Sequence, residues 1–98
     1  EEAIAKLEHQ RDRLLAQAED LEHQRDQLEA RLEDLNARLD AGLDEAERKS
    51  WDSLGRYKFQ MYGYWSAIWV HLNRISQQGR PNPWASLVKA AREEVSRG

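Results

Sequence analysis

The sequence predicts an all-α chain: a long N-terminal coiled-coil helix followed by a small C-terminal helical hairpin. Three observations carry this. Leucine recurs every seventh residue from Leu7 to Leu35. An apolar spacing of three and four resumes at Trp51. A break at Gly79-Arg80-Pro81-Asn82-Pro83 then splits the second half into two helical stretches. The 98 residues are 34% charged, with a mean hydropathy of −0.94. Such values suit long solvated helices better than a compact globule.

In the first stretch Leu7, Leu14, Leu21, Leu28 and Leu35 define heptad position d. Position a then holds Ile4, Arg11, Ala18, Arg25, Leu32 and Leu39, while b and c are almost wholly polar. A narrow apolar seam on a solvated helix is the pattern of a supercoiled pair. Neither Pro nor Gly interrupts it before Gly42. Alone, the helix would expose its leucine stripe to water, so these eleven positions are the expected dimerisation residues. From Ile4 to Ala41 the helix would span roughly 57 Å at 1.5 Å per residue. Leu7–Leu14 returns almost unchanged as Leu21–Leu28, an internal repeat of two heptads.

Arg11 and Arg25 at position a favour two strands over three or four. A two-stranded seam lets long side chains reach out to Glu8, Glu22 or Glu29. Position g holds Gln10, Gln17 and Gln24, so strand orientation stays open. Leu15 and Leu43 at e widen the stripe and offer a seat to a further helix. The alternative to self-association is one half of an intramolecular helical hairpin. His9 and His23 at f are surface residues, too far apart to share a metal.

Gly42 costs about 1 kcal/mol inside a helix. Strong helix formers flank it, so a continuous or kinked helix is expected. The division is into 1–47, a dimeric coiled coil, and 48–98, a basic, aromatic-rich module. The module is read as a helix over about 48–77, a turn over 78–82 and a helix over about 83–96. Trp51, Leu54, Met61, Trp65, Ile68, Leu72 and Ile75 form one stripe; Tyr57, Tyr62, Trp69 and Val70 form a second. Residues 57–62 also alternate like a strand ending at Gly63, but no partner strand is evident. Within a helix, Gly63 would let another backbone approach. Gly79 ends the first helix, and Asn82-Pro83 cap and start the next.

All eight aromatics lie within 51–84. Trp51, Tyr57, Tyr62, Trp65, Trp69 and Trp84 are expected to build the helical core or to anchor a partner. Residues 1–47 carry six basic and fifteen acidic side chains, −9, and 48–98 carry nine and three, +6, which gives the net −3. Lys49, Arg56, Lys58, Arg74, Arg80, Lys89 and Arg92 are the candidate contacts to an anionic partner: nucleic acid, an acidic protein surface or anionic lipid. They are scattered, and the dense basic region that leucine-zipper transcription factors carry before the zipper is missing.

Cysteine is absent, which removes thiol catalysis and disulfides and favours an intracellular, cytoplasmic setting. No phosphate loop, metal-binding His pair or nucleophile elbow occurs, so no enzyme, cofactor or small-molecule substrate is expected. The serines are read as helix-surface or capping residues and His71 as a structural histidine. The longest uncharged run, 59–73, is short of the roughly 20 apolar residues of a membrane span. The chain opens on Glu1 and Glu2 without a leader and reads as a fragment, so missing targeting signals carry no weight. The expectation is a non-catalytic homodimeric scaffold or adaptor whose C-terminal module docks a protein partner; the alternative is a dimeric nucleic-acid-binding protein.

Overall fold

A computed structural model describes residues 1–98. The chain is all-α, with α1 at Glu2–Gly55, α2 at Phe59–Ser76 and α3 at Ala85–Arg97. It divides into two compact units, Glu1–Leu35 and Asn36–Gly98. Residues 36–47 therefore pack with the C-terminal part of the chain.

The N-terminal unit is helix throughout, and every side chain in it is exposed. Short-range pairs on its surface support it: Gln24 Nε2 donates to Asp20 at 3.2 Å, and Arg25 faces Glu29 at 3.8 Å. Such pairs each add a few tenths of a kcal/mol to a helix.

The C-terminal unit begins with the last third of α1, which runs through Gly42 without a break. Gly42 has a packing role there. A Cβ on it would come within 3.2 Å of Leu72 Cδ1 on α2. Downstream, Ala46, Ser50 and Ser53 continue this line of small residues, and all three are buried. Their size lets α2 lie close along α1. Ser50 Oγ donates to the Tyr62 carbonyl at 3.4 Å, and Lys49 sits over Trp65. The contacts 50 to 62, 49 to 65 and 42 to 72 run in opposite senses, so α1 and α2 are antiparallel. Leu43, Ala46, Trp69 and Trp84 form the core, with Tyr62, Trp65, Ile68 and Leu72 packed against it. The e-position reading of Leu43 as a seat for a further helix is realised within the chain.

The single helix expected over 48–77 is broken at 56–58. Tyr57 N–H donates to the Leu54 carbonyl at 3.1 Å, and Lys58 N–H to the Ser53 carbonyl at 2.8 Å. This pair of bonds is a Schellman cap. Its left-handed position is held by Tyr57 at φ 61°. Glycine normally occupies that position, so a tyrosine there hid the stop. Residues 57–62 form no strand; Phe59 onward is α2. The buried hairpin is consequently α1 with α2.

At the far end of α2, Gln77 takes the left-handed conformation, φ 60°, and Gln78 N–H donates to Ser76 Oγ. Gly79 is also left-handed but lies two residues later, in the turn. Asn82 Oδ1 accepts the Trp84 N–H at 2.8 Å in the turn that leads into α3, but the helix starts later than the Asn-Pro pair suggested: its N-cap is Trp84, which makes no side-chain cap bond. No residue of α3 is buried; Trp84, just before it, supplies the core contact.

Candidate interaction surfaces

The seam residues of the N-terminal unit form the first surface. Ile4, Leu7, Leu14, Leu21, Leu28, Leu32 and Leu35 each leave more than half of their area exposed, and Leu15 does the same beside them. Ala18 lies among them, also exposed. Leu39 differs: it is half-buried and belongs to the C-terminal unit. Arg11 pairs with Asp12 at 3.1 Å; Arg25 pairs with Asp26 at 3.5 Å and Glu29 at 3.8 Å. Of the carboxylates expected to receive these arginines, Glu29 alone does so within the chain.

The six aromatic candidates separate by position. Trp84 is the hub. Its ring lies 5.5 Å from Trp69, edge-on, 6.0 Å from Tyr62, edge-on, and 6.1 Å from Trp51, tilted. Aromatic pairs of this geometry add about 0.5–1.5 kcal/mol beyond their burial. Trp69 and Trp84 are buried, and their indole N–H groups have no acceptor in the structure. Trp51 stands at the rim, with its indole N–H on Glu47. Trp65 is half-buried under Lys49, whose Nζ sits 4.3 Å from the ring centre. Burial pushes the Tyr62 hydroxyl above its ordinary value of 10.0. Tyr57 lies outside the core: it is 82% exposed, touching Phe59 edge-on. Phe59, Met61 and Tyr64 on α2, and Leu87, Val88 and Val95 on α3, add to the exposed apolar surface.

The seven basic candidates do not form one patch. Arg80 is engaged within the chain. Its guanidinium meets Asp44 at 2.7 Å and Asp40 at 3.3 Å, both on α1. The Asp44 hydrogen bond, with its charge, raises the Arg80 pKa further. Asn73 orients the loop that carries Arg80: its Oδ1 accepts the Arg80 N–H at 2.9 Å and its Nδ2 donates to the Arg80 carbonyl at 3.0 Å. Lys49 pairs with Glu45 at 3.0 Å and lowers that carboxyl's pKa through the hydrogen bond and its charge. Arg56 pairs with Asp52 at 3.2 Å. Lys58, Arg74, Lys89 and Arg92 are exposed without a protein partner. The Arg80 pairs join residues 36 and 40 apart in sequence, which no local pattern signals.

Other small polar residues also moved. Ser50 and Ser53 are buried rather than on the surface, Ser76 is buried while accepting the Gln78 N–H at the end of α2, and His71 is exposed rather than structural. No group of three His, Asp or Glu side chains is arranged to hold a metal. A depression of about 690 Å³ is lined by Asn82 and α3 residues alone, so it is a helix surface and not an enclosed pocket. No helix is long and apolar enough to cross a membrane. Searches of protein-family models, curated proteins and solved structures found no match to this chain.

Proposed function

We propose that this chain is a non-catalytic homodimeric scaffold or adaptor piece, paired through the leucine seam of residues 4–35 and docking a protein partner with its C-terminal module. The observation that carries the reading is a row of seven large aliphatic side chains, each more than half exposed and interrupted only by Arg11, Ala18 and Arg25, on one helix with no other element of its unit to cover it. At about 25 cal/mol per Å² of apolar area, such a row is strongly driven to find a cover. The docking half of the reading rests on Phe59, Met61, Tyr64, Leu87 and Val88, large apolar groups that the core leaves in water.

A nucleic-acid role finds less support, because Lys49, Arg56 and Arg80 are engaged with carboxylates of the same chain. The test is the mass in solution. Wild type should scatter light as twice the 11.5 kDa chain. Leu21→Glu with Leu28→Glu should return it to one chain mass. A wild-type monomer at high concentration, or a double variant that stays dimeric, overturns the proposal.

A further inference from the structure

The heptad phase set by Ile4 and Leu7 continues along the uninterrupted α1. It puts Leu39 and Ala46 at a, Gly42 at d, and Leu43 and Ser50 at e. In the C-terminal unit these positions are already covered. Leu43 and Ala46 are buried, Gly42 lies against Leu72, and Ser50 bonds to the Tyr62 carbonyl. Within residues 36–98, α2 covers these heptad positions from Gly42 onward. The stretch left open is Ile4 to Leu35.

That constraint bears on orientation. A parallel pair in register would bring the a and d positions beyond Leu39 of both copies together, where each chain has its own α2. It would also set Arg11 against Arg11 and Arg25 against Arg25, two like-charged layers in a narrow seam. An antiparallel pair meets neither obstacle. With Ile4 level with Leu35 of the second copy, the other layers become Leu7 with Leu32, Arg11 with Leu28, Leu14 with Arg25, and Ala18 with Leu21. Each layer joins an a residue to a d residue, and pairing ends where α2 takes over. Every seam arginine then faces a leucine. At the flanks Gln17 meets Gln24 and Gln10 meets Arg31. One like-charged approach remains, Glu8 with Glu29, and Arg25 already lies 3.8 Å from Glu29 in its own chain.

Resting on the homodimer reading, we propose that the seam binds a second copy of this chain antiparallel, in the register that sets Ile4 level with Leu35. Residue 36 of each copy then follows an opposite end of the paired segment.

The chain has no cysteine, so single thiols report the arrangement directly. Ile4→Cys and Leu35→Cys are made separately in the full chain, and each is oxidised alone and in an equimolar mixture. In the antiparallel register, Leu35 of one copy lies roughly 46 Å along the axis from Leu35 of the other at 1.5 Å per residue. A disulfide spans Cα atoms about 4.4–6.8 Å apart. Only the mixture should yield a linked pair. Gln10→Cys with Arg31→Cys, on the flank, repeats the test without touching the seam. Leu35→Cys linking to itself overturns the orientation, as does a mixture that stays unlinked while light scattering still reports dimers. Monomers in wild type as well would overturn the underlying homodimer and the orientation with it.

Discussion

At Tyr57 the backbone takes φ 61°, a region that costs a residue with a side chain roughly 1–2 kcal/mol. The ring gives little back, because it is 82% exposed and touches only Phe59 among the aromatics. Tyr57→Gly should therefore stabilise the C-terminal unit by about 0.5–1 kcal/mol, part of the relief being offset by the flexibility of glycine in the unfolded chain. Urea unfolding followed by tryptophan emission checks it. The midpoint should rise with no change in slope; a lower midpoint would mean that the ring contributes more than its exposure suggests. This residue also explains what the sequence hid. Helix stops are read from glycine and proline, and here Gly55 lies two positions before the left-handed residue. At Asn82-Pro83 the break before α3 was legible, although the helix itself begins two residues later, after Trp84. Arg80 was not, because its acidic partners become neighbours only when α2 folds back on α1.

Among the elements, the two interior glycines of α1 and α2 have exchanged the roles that spacing gave them. Gly63 was expected to admit another backbone, yet a Cβ there meets nothing within 4 Å. Gly42 was expected merely to weaken a helix, yet a Cβ there would come within 3.2 Å of Leu72 Cδ1. Periodicity reports which face of a helix is apolar; it does not report how near the next helix comes. That distance depends on the run of small residues at 42, 46, 50 and 53, which reads as polar or neutral in sequence and is buried or half-buried in the fold. Opposite outcomes follow for the two sites. Gly63→Ala should stabilise by about 0.5–1 kcal/mol through helix propensity alone. Gly42→Val should destabilise by about 1–3 kcal/mol, because branched bulk forces α2 away from α1. Thermal unfolding of the two variants beside wild type separates them; equal shifts of the same sign would contradict this account of the α1–α2 contact.

For the molecule as a whole, the two units hold helix in two ways, and their boundary after Leu35 falls inside the acidic half of the sequence. Residues 36–98 have a core of their own, built on Trp84, Trp69, Leu43 and Ala46. Residues 1–35 have none, and within the chain their helix rests on exposed short-range pairs. A helix without tertiary cover is marginal in water, so its persistence should follow the partner's concentration by mass action. The two parts can be watched separately, because all four tryptophans lie in the C-terminal unit while the far-ultraviolet helical signal sums both. Heated at two protein concentrations a hundredfold apart, the chain should lose part of its helical signal at a temperature that rises with concentration. The midpoint seen by tryptophan emission should stay put. If both probes instead fall together at one temperature, independent of concentration, the N-terminal helix is held within a single chain, and the leucine seam needs an explanation other than a second copy.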